Sequence, residues 1–480
     1  MKGRPGDLSS TLGDVPADEF RSLLHQVADW VADYREQIGD RRISPETEPG
    51  EIVHALPQQG PEKGEALSEI LHDVDRLIMP GMVHWGHPQF LGYFGSTTTA
   101  PGILAEMIAA ALNVNAMTWR TSPAATELET AVLDWLRQWL GLSPAFRGVV
   151  YDTASISTMH ALAAAREGSM ACVRRRGLVG RDGPILRIYT SDQAHSSVEK
   201  AAIALGIGEE NVQRIPSDRA FRMQVATLRQ RIEEDRARNY LPLAVVATVG
   251  TTSTASVDPI PEIAAICQAQ KLWLHIDAAY GGGLALLPEA SWVTAGWDAA
   301  DSLVINPHKM LFVPFDFSAL YLRRIEQLRD VFTLVPEYLR ADSVGADTNY
   351  MDYGVQLGRR FRALKAWMVW RTFGREGLAT RIREHMRLAQ LFAGWVQDDP
   401  RFELLAPVVM GVVCFGLVAE DAAAAREISG KLVERLNASG RAYLTQTELH
   451  DRAAIRLGLG NILTTESSLR EVWQMLVRQV

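Results

Sequence analysis

Cysteine is scarce in this chain of 480 residues: Cys172, Cys267 and Cys414 are all there are. They are too few and too scattered for a disulfide framework or a zinc cluster, and they fit a reducing compartment. Lysine is scarce too, with seven in the whole sequence. An excess of positive charge is missing: 49 Lys and Arg face 57 Asp and Glu for a net charge of −8, and the pI is near 5.8. That leaves no large basic field to hold a nucleic-acid backbone, and the run Arg174-Arg175-Arg176 reads as solvated surface. No stretch reaches the ~18–20 uninterrupted apolar residues of a membrane helix. Residues 1–16 are polar with Gly and Pro and lack the apolar core of a signal peptide. The expectation is a cytoplasmic protein with neither nucleic acid nor membrane as partner. With 47% hydrophobic and 22% charged residues, disordered and coiled-coil chains are excluded, and the length allows roughly two to four domains.

What is present is periodicity. Between residues 16 and 38 the side chains Phe20, Leu23, Leu24, Val27, Trp30, Val31 and Tyr34 recur at three- and four-residue steps, one stripe of an amphipathic helix. A second stripe through Leu67, Ile70, Leu71, Val74, Leu77 and Ile78 stops at Pro80-Gly81. A connector rich in Pro, Glu and Gly, 45–64, separates them. Both stripes are therefore expected to dock on another domain or subunit, making 1–99 a helical dimerisation segment. From about residue 100 short apolar runs alternate with helical stretches, the mark of a mostly parallel sheet covered by helices. Strands are expected at 148–151, 185–190, 243–249, 272–276, 302–305 and 318–322, and helices at 157–166, 196–205, 224–238 and 260–270. This α/β domain spans 100–366. A helix at 360–373 leads to apolar runs at 411–418 and 453–459 and helices at 422–436 and 467–479, a smaller α+β domain over 367–480.

Ligands of such sheets bind beyond the carboxyl ends of the strands. The residues there are Thr153-Ala154-Ser155, His195, Thr251-Thr252, Asp277-Ala278-Ala279 and Asn306-Pro307-His308-Lys309. Lys309 is framed by Leu303-Val304-Ile305 and Met310-Leu311-Phe312-Val313. Desolvation there favours the neutral amine, the nucleophile that forms a Schiff base; a lysine so framed also snorkels to the surface or pairs with an acid. Asp277 ends an apolar run, and a buried carboxylate needs a donor or a cation. A protonated ring nitrogen would serve, and holding that proton turns a pyridine into an electron sink; an aspartate capping a loop is the plainer alternative. Thr153 and Ser155 open a helix, where they offer hydroxyl and N–H groups to a phosphate or simply cap it. His195 offers a flat ring to stack on a cofactor and orient a substrate carboxylate, or is an ordinary loop histidine. Together, an amine, a carboxylate, a phosphate cradle and a stacking ring are what pyridoxal phosphate requires.

The stretches Asn306-Pro307-His308-Lys309, His275-Ile276-Asp277-Ala278-Ala279-Tyr280, Asp192-Gln193-Ala194-His195-Ser196-Ser197-Val198-Glu199 and Leu357-Gly358-Arg359-Arg360-Phe361 resemble the group II pyridoxal-phosphate decarboxylases, specifically the aromatic L-amino acid decarboxylases. The resemblance runs from about Phe20 to the C-terminus. It implies the α/β, PLP-dependent transferase fold type I: a mostly parallel seven-stranded sheet in the large domain, a swapped N-terminal helical segment, and a homodimer with active sites at the subunit interface. It implies that Lys309 bonds pyridoxal 5′-phosphate, that Asp277 binds its ring nitrogen and that His195 stacks on it. Thr153, Ala154, Ser155, Asn306 and His308 would surround the phosphate, with Thr252 and Ala279 close to the cofactor. Tyr338, in Pro336-Glu337-Tyr338-Leu339-Arg340, matches a mobile-loop tyrosine that in this family helps protonate the substrate Cα.

The expected reaction is decarboxylation of an aromatic L-amino acid, whether tryptophan, tyrosine, phenylalanine or DOPA, to the arylalkylamine and carbon dioxide. Trp85, Tyr93 and Phe94 correspond to pocket-lining aromatics, which suit a flat apolar side chain. No arginine stands in 84–94 to receive a side-chain carboxylate. Gly358 takes a position where related plant enzymes carry Gly when they prefer indoles and Ser when they prefer phenols. Asn115 and Met117 stand where animal relatives place Ile and Phe on the loop contributed by the partner subunit, and Gly95 replaces a proline; these departures imply a wider or more polar pocket. Family members that make aldehydes typically change the His or the Tyr, so His195 with Tyr338 favours the amine. An aromatic aldehyde synthase and a non-catalytic cofactor-binding protein are the alternatives.

Overall fold

The computed structural model describes residues 13–96, 98–169, 173–178, 180, 183–334 and 348–480. Short apolar runs form its central sheet: β1 (Arg147–Tyr151), β2 (Leu186–Ser191), β3 (Val212–Ile215), β4 (Leu241–Thr248), β5 (Trp273–Asp277), β6 (Ser302–Ile305) and β7 (Ser318–Leu322). They lie in the order β1-β7-β6-β5-β4-β2-β3. Neighbours from β3 to β6 pair parallel, and β7 runs antiparallel to both β6 and β1. The carboxyl ends of every strand except β7 therefore emerge on one edge. β5, β6 and β7 are buried at every position, which is why they read as continuous apolar runs and not as alternating ones. The helix Ala154–Ser169 packs on this sheet through small residues such as Ala161, Ala163 and Ala164, all fully buried.

This is the α/β, mostly parallel seven-stranded fold expected from the resemblance. β3 was not foreseen as a strand: of its four residues only Val212 and Ile215 are buried, too few to make an apolar run.

A second sheet, antiparallel throughout, holds β8 (Phe402–Leu404), β9 (Val412–Leu417), β10 (Thr445–Leu449) and β11 (Arg452–Gly458) in the order β10-β11-β9-β8. The helices Ala422–Ala438 and Glu466–Val477 contribute Leu432, Leu436, Leu469 and Val472 to its core. One long helix, Ala363–Asp398, serves both units. Trp370 and Ile382 enter the core of the large sheet, while Leu388 and Phe392 enter that of the small one. At the N-terminus, Ala17–Glu36 buries only Leu23 and Leu67–Asp73 buries nothing, leaving Phe20, Leu24 and Ile70 exposed. No helix among the described residues is long and apolar enough to cross a membrane.

Candidate active site

The edge where the strands end encloses a cavity of about 690 Å³. Thr248 and Asp277 close β4 and β5 side by side in register. Asn306 follows β6, His195 lies beyond β2, and Thr153 precedes the helix that starts at Ala154. Thr153, Ala154, Ser155, His195, Thr252, Asp277, Ala279, Asn306, His308 and Lys309 all line the one cavity. Residues spread over more than a hundred positions of chain are thus brought together because every strand but β7 ends on this edge.

Burial lowers the pKa of Lys309, with Asp277 opposing that shift and Arg456 adding to it. Its Nζ stands 4.9 Å from the centroid of the Phe94 ring. Asp277 accepts the Ala279 N–H at 3.0 Å through Oδ1. Burial also lowers the pKa of His195, against the pull of Asp277. Its Nδ1 accepts the Ser197 N–H at 3.1 Å, so the neutral ring carries its proton on Nε2. His308 is held down to about 3 by burial and then by the Lys309 charge. Its Nδ1 accepts the Phe317 N–H at 3.0 Å, which again leaves Nε2–H as a donor.

Among the polar atoms here, Asn306 Oδ1 and Thr248 Oγ1 are buried without a protein partner. Such groups demand a partner, and a polar ligand in the cavity would supply it. An amine for a carbonyl, a carboxylate for a protonated ring nitrogen, a flat imidazole and a helix N-terminus for a phosphate make the residues present fit pyridoxal 5′-phosphate.

Tyr93 and Phe94 line the same cavity, and Phe94 stacks on Tyr280 at 3.9 Å between centroids and 27°. Trp85 is stacked on Tyr93 at 5.4 Å and 11° and stands behind it, outside the lining. Asn115, Met117 and Gly358 are not part of this cavity within one chain. They gather elsewhere: Asn115 Nδ2 donates to Met117 Sδ at 3.5 Å, and a Cβ on Gly358 would lie 3.9 Å from Asn115 Nδ2. Tyr338 lies outside the described residues.

Arg456, which was not anticipated, reaches the cavity from β11. Its Nε donates to the Ser253 carbonyl at 3.0 Å and its Nη1 to the Tyr93 carbonyl at 2.5 Å, with the guanidinium 4.6 Å over Phe94. A lone arginine inside the apolar run 453–459 was visible in the sequence. Where that strand points depends on how the small sheet meets the large one.

The family model described as the pyridoxal-dependent decarboxylase conserved domain matches residues 49–418. An aromatic-L-amino-acid decarboxylase of Cavia porcellus is 38% identical over 472 residues, covering 95% of this chain and 96% of that one. A histidine decarboxylase of Drosophila melanogaster is 38% identical over 474 residues, covering 96% of this chain and 55% of that one. A 3,4-dihydroxyphenylacetaldehyde synthase of the same organism is 37% identical over 479 residues, covering 97% and 92%. Among solved structures, an Oryza sativa TDC with PLP and tryptamine superposes with a TM-score of 0.93 at 34% identity, covering 98% of this chain and 99% of that one.

Proposed function

This chain belongs to the pyridoxal-dependent decarboxylase family, carboxy-lyases that use pyridoxal 5′-phosphate, and from that premise we propose that it converts aromatic L-amino acids to arylalkylamines and carbon dioxide. The observation that carries this is the meeting of Lys309, Asp277 and His195 with the aromatic wall of Tyr93, Phe94 and Tyr280 in one cavity. Bound there, pyridoxal 5′-phosphate supplies a sink for the electron pair released when the bond from Cα to the carboxylate breaks. Lys309, whose burial shifts its amine toward the neutral form, is the nucleophile that would meet a carbonyl carbon. Asp277 would accept the hydrogen bond of the cofactor's protonated ring nitrogen and so hold the proton there. His195 covers a flat ring and offers Nε2–H to a carboxylate. Thr153, Ala154 and Ser155 present the N-terminus of a long helix to a dianion, with Asn306 and His308 beside it. Arg456 adds a buried positive charge that attracts an amino acid's carboxylate into the same space. Tyr338 returns a proton to Cα, so that amine and not aldehyde leaves.

The proposal includes a homodimer. Leu104, Ile108 and Leu112, spaced one helical turn apart, are 52%, 44% and 59% exposed in the single chain, an apolar stripe that a second copy would cover. Such a pairing brings residues 115–117 and Gly358 to the neighbouring copy's cavity, where they form part of the substrate pocket. In the proposed division 1–99 serves dimerisation, 100–366 holds the cofactor, and 367–480 closes the cavity from the small-sheet side. The test is a panel of tryptophan, tyrosine, phenylalanine, DOPA, histidine and glutamate, with amine, aldehyde, carbon dioxide and peroxide quantified. Equal amounts of amine and carbon dioxide from the aromatic members are expected. Aldehyde with peroxide would make the chain a synthase, and turnover confined to histidine or glutamate would overturn the substrate class.

A further inference from the structure

Arg359 belongs to the motif that contains Gly358, yet none of the chemistry above uses it, and it is buried. It meets Glu129 at two points, Nη2 to Oε1 at 2.7 Å and Nη1 to Oε2 at 3.0 Å, with the two side chains 6% and 2% exposed. A buried pair pays desolvation on both sides and is weak evidence for stability, so what the pair holds is more informative. Nη2 also donates to the Val150 carbonyl at 2.8 Å, and Glu129 Oε1 accepts the Val150 N–H at 3.0 Å. Both backbone groups of one β1 residue are thereby fixed just ahead of the Thr153-Ala154-Ser155 cradle. On the other side Nη1 donates to the Ala116 carbonyl at 3.2 Å, the Ala116 N–H donates to the Arg359 carbonyl at 2.9 Å, and the Arg359 N–H donates to Asn115 Oδ1 at 2.9 Å. The Met117 carbonyl accepts the Met351 N–H at 3.0 Å, and the neighbouring Tyr350 ring lies 4.7 Å from the guanidinium.

We propose that Glu129 and Arg359 are positioning residues for substrate selection: one buried pair holds residues 115–117 and Gly358 as a rigid rim in register with the phosphate cradle. This rests on the reading that the rim faces the aromatic side chain of a substrate bound by the second copy. The pair ties the cofactor hold of one copy to the substrate fit of the other. Loosening it weakens both while leaving Lys309, Asp277 and His195 in place.

Removing one charge strands the other in the core, so the pair is replaced together, Glu129→Leu with Arg359→Met, beside Arg359→Lys, which keeps the charge and loses the two-point fork. In the holoenzyme, kcat and KM are measured for tryptophan and phenylalanine, cofactor affinity is read from visible absorbance, and the fold is checked by circular dichroism. The double variant is expected to stay folded, to keep kcat within about threefold and to raise KM about tenfold. It also moves the tryptophan-to-phenylalanine ratio of kcat/KM toward one and weakens cofactor binding, with Arg359→Lys intermediate. Unchanged KM and ratio, or a fall in kcat alone, would overturn the proposal; if the double variant does not fold, Arg359→Lys decides by the same criteria. Gly358→Ser and Met117→Phe separate the two ways of failing. If they shift the ratio and the pair variants do not, the rim faces substrate but the pair does not set it; if neither shifts it, the rim reading fails as well.

Discussion

Burial does the chemical work at the level of single residues. Lys309 and His195 both have their pKa lowered by desolvation, one toward a nucleophilic amine and the other toward a neutral ring with a single defined donor. Replacing His195 with Gln is expected to lower kcat by ~10²–10⁴-fold while the cofactor still binds, measured by steady-state kinetics and absorbance. Lys309→Ala is expected to lower it by at least about 10³-fold, and full turnover in that variant would sink the mechanism. Burial has a stability consequence too. His160 and His275 are held at about 4 and His308 at about 3, each chiefly by desolvation. The unfolded chain protonates these rings below about 6.5 and the folded chain does not, so their contribution is complete above that pH and is lost as pH falls toward 4. Asp258, raised to about 6 by burial, works in the opposite direction over that window. Three rings outweigh one carboxyl, so the melting temperature is expected to drop between pH 6.5 and 4, and His275→Gln to drop less steeply. The chemical identities of these residues were legible in the sequence; Arg456 was visible there too, but nothing local said that it would share a cavity with Lys309.

Among the elements, what could be read depended on how much of each is buried. β4 to β7 carry long apolar runs and were found close to their ends. β3 and β10 hid because an edge strand buries few residues and shows no run: β10 buries only Leu449. The helix expected at 360–373 runs on to Asp398, across Gly374. Gly374 does depart from helical geometry, at φ 65 and ψ 169, but the helix resumes beyond it because Leu378, Ile382 and Leu388 find buried places in two cores. That backbone conformation is open almost solely to glycine. Gly374→Ala is therefore expected to cost about 1–3 kcal/mol in denaturant unfolding although nothing lies within 4 Å of the added carbon. At the C-terminal helix, Thr465 caps Glu466–Val477 by accepting the Ser468 N–H at 3.3 Å. Thr465→Ala is expected to cost about 1 kcal/mol in the same experiment.

On the scale of the whole molecule, the stripe Leu104, Ile108 and Leu112 stands exposed on the single chain. Placing a charge in its middle should oppose association more than folding, since Ile108 is already half in water. Ile108→Lys is expected to shift the protein toward monomer in sedimentation velocity and to lose activity in proportion. A monomer with full activity would remove the need for a shared site.

The sequence by itself determined the chemistry: residue types follow each strand in fixed order, and a parallel sheet delivers those positions to one edge, so the group they would hold could be inferred before any coordinates. It also determined the burial pattern of the central strands, since an apolar run has no other place to go. Only the tertiary structure decided that Arg456 enters the cavity, that Trp85 stands behind Tyr93, and that Glu129 and Arg359 tie residues 115–117 to β1. Each of those contacts joins segments far apart in the chain, and no local pattern encodes a distance across the core.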